Sequence, residues 1–185
     1  MSSFWTGKRV RLRGVEPADW EVFQSFTEHS ADQRAVDRLY PPRSAAWFQE
    51  ATAARAKQPG TDLDLAIESL ETGELVGSLS THGVDRRAGR FGYGIGIGHQ
   101  HQRNGYAAEA VVLLLRYMFG EQRMHKCEAK VYEFNEPSLG LHRSLGFTEE
   151  GRLRAHEFLA GRHWDAVLLG MTLPEFVARW ELPQV

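Results

Sequence analysis

The segment Gly98–Ala107, which reads GHQHQRNGYA, concentrates residues that could do chemistry. His99 and His101 have the spacing of a metal-binding His-x-His pair, but zinc requires further ligands, and no other stretch supplies them at a clear spacing. Arg103 and Gly105 instead suit an anion-binding loop, because glycine lets backbone N–H groups come close to a ligand. A plain polar turn is the third interpretation. The strand and the helix predicted on either side of the segment help to distinguish the three.

A strand is predicted over Arg90–Ile97, directly before this segment, and it has an unusual face. Side chains alternate across a strand, so the apolar residues share one face and four glycines share the other. These glycines are Gly92, Gly94, Gly96 and Gly98. Glycine weakens a strand, so such a face needs a reason. It indicates either the close approach of an extended ligand or the tight packing of a helix.

A helix is predicted over Tyr106–Phe119, directly after the segment. It is apolar nearly all round, with Glu109 and Arg116 as the charged exceptions, which is typical of a buried helix. Its N-terminus opens at Gln102–Gly105, where free backbone N–H groups and the helix dipole favour an anion. A glycine-faced strand, a polar loop and a buried helix together favour a site for a phosphorylated ligand.

The remaining pattern indicates helices inserted among strands, with a late strand–helix–strand unit, and therefore a mixed α/β sheet. At 185 residues, the chain is expected to form a single domain over residues 1–185. Further strands are predicted at Lys8–Leu12, Leu63–Glu68, Leu75–Ser80, Lys126–Tyr132, Phe147–Arg152 and Trp164–Thr172. Further helices are predicted at Pro17–Glu28, after the N-cap Ser44, at Pro137–Leu145 and after Pro174.

Composition excludes several classes of function. The formal net charge of −2 argues against a nucleic-acid-binding protein held by bulk charge. No apolar stretch reaches the roughly 20 residues of a membrane span, and the first residues lack the apolar region of a signal peptide. Cys127, the single cysteine, lies in a predicted strand and is expected to be an inert buried thiol. These observations predict a cytoplasmic protein with neither a nucleic-acid nor a membrane partner.

The motifs carry a resemblance to a known family. Q-R-N-G-Y-A resembles the Q/R-x-x-G-x-G/A pyrophosphate loop of the GNAT superfamily of acetyl-CoA-dependent N-acetyltransferases. EFNEPSLGLHRSLGF is similar to the family segment in which an asparagine begins the helix after the fifth strand. The opening GKRVRLRGVEPADW and the closing EEGRLR and GRHWDAVLLGM resemble the RimJ/RimL-like subgroup. The resemblance covers nearly the whole chain.

The resemblance implies a GNAT acyl-CoA N-acyltransferase fold, in which a mixed, mostly antiparallel sheet is flanked by helices. Two parallel strands, here Phe91–Gly98 and Lys126–Tyr132, are expected to splay apart around acetyl-CoA, and no metal is implied. The cofactor-binding residues would be Ile95 and Ile97 for pantetheine, Gln102, Arg103, Asn104, Gly105, Tyr106 and Ala107 for the diphosphate, and Asn135 for the pantetheine or thiol region. Asn135 can equally be the N-cap of the following helix.

The implied reaction is direct transfer of the acetyl group to a primary amine through a tetrahedral intermediate. Backbone N–H groups near Ile97 would face the oxyanion, and something should protonate or stabilise the departing thiolate. The tyrosine that many members use for this purpose is replaced by His142, and Ser138 is the rival candidate. Their structural alternatives are a histidine at the edge of the core and a serine bonded to the first helical turn. No general base can be identified; Asp165 matches an acidic position of the subgroup.

The acceptor would be a protein N-terminal α-amine or a small-molecule amine. An aromatic wall on the acceptor side could include Trp5, Trp20, Trp47, Phe48 and Trp164, although such residues are more often core. Two alternatives stay open, an enzyme that uses a longer acyl-CoA such as succinyl-CoA and a non-catalytic acyl-CoA-binding module. Because dimers are common in the family, a homodimer is open as well.

Overall fold

The computed structural model describes residues 3–36, 38–57 and 62–182, and within them the chain alternates between strands and helices. The strands are β1 (Val10–Gly14), β2 (Asp64–Ser69), β3 (Leu75–Asp85), β4 (Arg90–Ile97), β5 (Lys126–Tyr132), β6 (Thr148–Leu159) and β7 (Arg162–Thr172). The α-helices are α1 (Trp20–Ser25), α2 (Ser30–Val36), α3 (Ala45–Ala56), α4 (Tyr106–Gly120), α5 (Glu136–Leu145) and α6 (Leu173–Val177). Short 3-10 helices cover Pro17–Asp19 and His99–His101.

The strands follow the order β1-β2-β3-β4-β5-β7-β6 in the sheet. The pairs β1–β2, β2–β3, β5–β7 and β6–β7 are antiparallel, whereas β4 and β5 are parallel. The parallel ladder is short, since it joins Arg90–Gly92 to Lys126–Glu128 while β5 continues to pair with β7 as far as Tyr132. The predicted α/β class and the mixed, mostly antiparallel sheet with one parallel pair are confirmed.

The described residues fall into two compact units. The first contains the residues up to Thr81 together with Gly94–Leu113. Val15, Phe23 and Leu75 are buried together in its core. The first half of α4 is buried there as well, from Ala110 to Leu113. Ser44 begins α3 as predicted, because its side chain accepts a hydrogen bond from Trp47 N at 3.2 Å.

The second unit contains His82–Tyr93 and the described residues from Leu114 onward. Phe119 lies at its centre, with ring centroids 6.0 Å from Phe91 and 5.3 Å from Phe176. Cys127 is fully buried, and burial raises the pKa of its thiol, so the prediction of an inert buried thiol is confirmed. Helix α5 ends at Gly146, whose φ of 101° is the left-handed conformation that a helix C-terminus favours.

One sequence prediction about a helix was wrong, and one helix was not predicted. The helix expected over Pro17–Glu28 is a 3-10 turn followed by α1, which ends at Ser25. Ser25 Oγ donates to Val22 O and Thr27 Oγ1 donates to Gln24 O, so side chains satisfy backbone groups where the helix would have continued. Helix α2 was not predicted, because seven residues are too few for a clear apolar period. Among the described residues, no helix combines the length and apolar character that a bilayer span requires.

Candidate active site

The loop before α4 has the backbone geometry of an anion cradle. Arg103 and Gly105 both have positive φ, 64° and 77°, so two of three consecutive residues adopt the left-handed backbone conformation. Such turns aim successive N–H groups toward one side. A Cβ on Gly105 would lie 2.8 Å from Arg9 Nη1, which itself donates to Asn104 O at 2.8 Å. Glycine is therefore favoured at this position by its left-handed conformation, and a Cβ would in addition displace the Arg9 guanidinium from Asn104 O.

A cavity of about 440 Å³ lies beside this loop in the first unit. Its lining includes three basic side chains, Lys8, Arg9 and Arg103, and one carboxylate, Glu71. Guanidinium and ammonium groups are the usual partners of phosphate oxygens. The lining therefore suits a phosphorylated group, as the loop predicts.

Glu109 anchors the start of β1 to the first turn of α4. Its carboxylate accepts hydrogen bonds from the backbone N–H groups of Lys8, Arg9 and Val10 at 2.7, 2.7 and 2.8 Å. Gly7 leaves the necessary room, because a Cβ there would lie 2.5 Å from the Glu109 carboxyl carbon. A structural contact thus explains Glu109, one of the two charged exceptions on this apolar helix.

Replacing Glu109 with glutamine is expected to destabilise the protein by about 2 kcal/mol, because three amides lose a charged acceptor. Urea denaturation followed by circular dichroism measures the change in the free energy of unfolding. Glu121→Gln is the control, since that exposed residue lies just after the same helix. Equal stability of the two variants would contradict a structural role for Glu109.

The glycine face of β4 is covered at its ends and open in its middle. A Cβ on Gly92 would meet the His82 ring at 2.4 Å, and one on Gly98 would meet the Phe26 ring at 2.3 Å. At Gly96 the nearest atom is Val36 Cγ2, at 3.7 Å. Two of the glycines therefore admit neighbouring side chains, whereas Gly96 leaves its face of the strand open.

That open face forms part of a cleft of about 830 Å³ in the first unit. Gly96 and Ile97 line it from β4 and Ser78 lines it from β3. Most of the remaining lining comes from the segment between α1 and α3, and from those helices. A cleft of this size takes a small organic molecule. Of the aromatic residues named from the sequence, Trp47 and Phe48 line it, whereas Trp164 packs on Phe134 in the second unit.

Asp32 brings a carboxylate to the end of the cleft at which β4 finishes. Gln102 Nε2 donates to Asp32 Oδ1 at 3.2 Å and contacts Ile97 O at 3.4 Å. His99 Nδ1 lies 3.0 Å from Asp32 Oδ2. Sequence reasoning missed Asp32, since nothing near it in the chain marks it, and it comes from a helix 67 residues before His99.

The two loop histidines differ in their surroundings. His99 stacks on His29 with ring centroids 4.1 Å apart and planes 16° apart, and with Asp32 they bring potential ligand atoms within 4.8 Å of one another. Lone pairs lie in the ring plane, so those of two nearly parallel rings do not converge on one ion. His101 is not in this cluster; its carbonyl accepts from Asn104 Nδ2 at 3.1 Å. These contacts indicate that His99 holds the Asp32 carboxylate in place and that His101 helps to fix the conformation of the loop.

Ser138 and His142 lie together on α5 in the second unit. His142 is 3% exposed. His142 Nδ1 lies 2.7 Å from Ser138 O and 3.4 Å from Ser138 Oγ, and its Nε2 lies 2.8 Å from the Tyr93 hydroxyl. Asn135 begins the helix, because its Oδ1 accepts from Ser138 N at 3.1 Å.

These contacts determine where the protons lie. A carbonyl oxygen only accepts, so His142 Nδ1 must carry a hydrogen, and Nε2 must then accept from Tyr93. Burial raises the pKa of Tyr93, which keeps the phenol protonated, and lowers the pKa of His142, which keeps the imidazole neutral. Because Nδ1 already bears a hydrogen, it cannot accept the proton of the Ser138 hydroxyl. That hydroxyl is left able to donate elsewhere.

A neutral buried histidine makes stability depend on pH. The folded-state pKa of His142 is lowered, so between that lowered pKa and the unfolded-state value of about 6.5 the unfolded chain takes up this proton and the folded protein does not. His142 is therefore expected to destabilise the protein as the pH falls below about 6.5, by up to about 1.4 kcal/mol per pH unit. Comparing unfolding free energies at several pH values for wild type, His142→Gln and the exposed-site control His163→Gln checks this. A pH slope unchanged in His142→Gln would contradict it.

Asp165, which matches an acidic position of the subgroup, makes a structural contact. Its Oδ1 accepts from Ala155 N at 2.9 Å, where Ala155 has a φ of 48° and β6 departs from regular pairing with β7. A carboxylate at this point stabilises an irregular strand. The described contacts therefore give Asp165 a role in shaping β6.

Comparison with known proteins gives one consistent family. The family model described as "Acetyltransferase (GNAT) domain" matches residues 9–148. The chain is 34% identical over 174 residues to the SPbeta prophage-derived uncharacterized N-acetyltransferase YokL of Bacillus subtilis, covering 94% of this chain and 96% of that protein. It is 31% identical over 104 residues to the [ribosomal protein uS5]-alanine N-acetyltransferase of Escherichia coli, covering 56% and 54% of the two chains.

Solved structures agree on the fold. The spermidine N-acetyltransferase of Vibrio cholerae, crystallised with CoA and spermine, superimposes with a TM-score of 0.80. That match covers 92% of this chain and 99% of the other at 20% identity. At this level of identity the likeness concerns the arrangement of the backbone alone.

Proposed function

The chain belongs to the RimJ/RimL-type GNAT family of acetyl-CoA-dependent N-acetyltransferases, and on that premise we propose that it transfers the acetyl group directly to a primary amine bound in the cleft beside Gly96. The loop before α4 carries the proposal, because its paired positive φ values and basic surroundings suit the diphosphate of acetyl-CoA. The family assignment favours such an enzyme over an acyl-CoA-binding module.

Acetyl-CoA would be held mainly by backbone groups of the first unit. Its diphosphate would accept from amides between Gln102 and Ala107, with the Arg103 side chain adding charge. Its pantetheine arm would pair with β4 near Ile95 and Ile97. The side chain of Gln102 supports this arrangement, because its amide donates both to Ile97 O at the end of β4 and to Asp32. Asn135, proposed to face the cofactor, also holds the first turn of α5 in place.

The chemical step follows from the proton positions on α5. A neutral amine attacks the thioester carbonyl, and backbone N–H groups near Ile97 stabilise the oxyanion. The amine nitrogen loses its proton to solvent water, and the carbon–sulfur bond breaks as the tetrahedral intermediate collapses, so that CoA leaves as the thiolate. We assign Ser138 as a hydrogen-bond donor that stabilises the departing thiolate, because its hydroxyl hydrogen is not taken by His142. A catalytic role for His142 stays a prediction; its hydrogen bonds favour positioning of Ser138.

Acetyl transfer is tested by incubating the protein with acetyl-CoA and a panel of primary amines. Free CoA thiol is measured with a chromogenic disulfide, and acetylated products are measured by mass spectrometry. We expect saturable acetyl-CoA binding by calorimetry and thiol release that depends on the amine. An absence of acetyl-CoA binding would overturn the proposal.

A further inference from the structure

We propose that the natural acceptor is a small primary amine with a flat apolar or aromatic body and a carboxylate group. This inference rests on the proposed function and concerns the cleft beside Gly96. It follows from the distribution of aromatic surface and charge in the described lining of that cleft.

The cleft exposes large apolar side chains that a core would normally cover. Val36 is 59% exposed, Leu39 is 44% exposed, Tyr40 is 38% exposed and Trp47 is 41% exposed, and all four line the cleft. A contiguous apolar surface in a concave place marks a binding site for apolar groups. Flat aromatic walls favour a ligand with an aromatic or planar body.

Arg43 provides a cation for an anionic group on that ligand. Its guanidinium carbon lies 3.8 Å from the Trp47 ring centroid and 4.6 Å from that of Tyr40. Stacking on rings holds the planar guanidinium in place and leaves its N–H groups able to bind a carboxylate with two parallel hydrogen bonds. Arg55, by contrast, already binds Asp64 in this way, at 2.7 and 2.8 Å.

The same lining disfavours a polyamine. An acceptor with several ammonium groups needs several carboxylates, and the described lining contains only Glu28 and Asp32. Asp32 lies next to Ile97, where a single attacking amine is needed, and it is held there by His99 and Gln102. One carboxylate at the reacting end and a ring-stacked arginine in the same cleft match an amine that also carries a negative charge.

The test compares four acceptors at saturating acetyl-CoA: para-aminomethylbenzoate, benzylamine, spermidine and a short peptide with an N-terminal alanine. We expect kcat/KM to be highest for para-aminomethylbenzoate. Arg43→Gln should lower that value about 10- to 100-fold and leave benzylamine within about twofold, since only the carboxylate loses its partner. Arg87→Gln, at an exposed arginine outside this cleft, is the control and should change neither.

Faster transfer to spermidine or to the peptide would overturn the inference while leaving the proposed function standing. So would equal kcat/KM for para-aminomethylbenzoate and benzylamine, or acetyl-CoA binding without transfer to either. A protein that neither binds acetyl-CoA nor releases thiol with any amine fails at the earlier step, and that result overturns the proposed function itself.

Discussion

Ser138→Ala is expected to lower kcat about 100-fold or more and to leave the Kd for acetyl-CoA nearly unchanged. Removing one hydrogen-bond donor to charge that develops in the transition state lowers kcat about 100- to 1,000-fold, and the serine hydroxyl is the proposed donor to the thiolate. The diphosphate loop, which would supply most of the cofactor binding, is not altered. Steady-state kinetics with a saturating amine, together with calorimetric titration of acetyl-CoA, separate the two quantities.

Ser144→Ala is the matched control for this prediction. Ser144 lies on the same helix, is exposed, and donates from Oγ to Leu141 O at 2.7 Å. Its loss should not change kcat. Near-normal turnover in Ser138→Ala would exclude the serine as donor, and a Tyr93→Phe variant would then show whether the buried histidine affects turnover in another way.

Gly96→Val is expected to lower kcat/KM for the amine about 10- to 100-fold with little change in acetyl-CoA affinity. Side chains leave a strand perpendicular to the sheet, whereas the pantetheine would pair with its edge. An isopropyl group at Gly96 would therefore enter the cleft, and forcing atoms into occupied space costs about 1–3 kcal/mol. Kinetics at varied amine and fixed acetyl-CoA measure the effect.

Gly94→Val serves as the comparison, because Gly94 shares the glycine face but does not line the cleft, and its Cβ would meet Ser80 Oγ only at 3.9 Å. It should keep most of the activity. If the two variants lose the same activity, the amine does not bind over Gly96. If Gly96→Val alone loses acetyl-CoA binding, the open face serves the cofactor rather than the acceptor.

Much of the framework could be predicted because it depends on local pattern. The observed bounds of β4 and β5 are those predicted from the alternation of their side chains and from the polar residues that flank them. Helix α4 was predicted from its long apolar run. The bounds of α5 follow from a capping asparagine, an early proline and a terminal glycine. Each of these signals involves residues a few positions apart, so one-dimensional periodicity and turn chemistry suffice to find them.

The function of the glycine face could not be decided in the same way. Glycine at Gly92 and Gly98 makes room for the rings of His82 and Phe26, while at Gly96 it opens a cleft. The two uses look identical in the sequence, because the covering side chains come from other elements. The aromatic wall was likewise only partly identified, since the exposure of Trp47 depends on what packs beside it.

The sequence by itself determined the family, the strands, most of the helices and the loop that we propose for the diphosphate, because motifs and periods are local properties of the chain. Tertiary structure alone decided that Asp32 meets the end of β4 through Gln102 and that His142 is buried against the hydroxyl of Tyr93. These contacts join residues 49 and 70 positions apart. Burial depends on such distant neighbours, so no spacing in the sequence could have shown that His142 is enclosed and kept neutral.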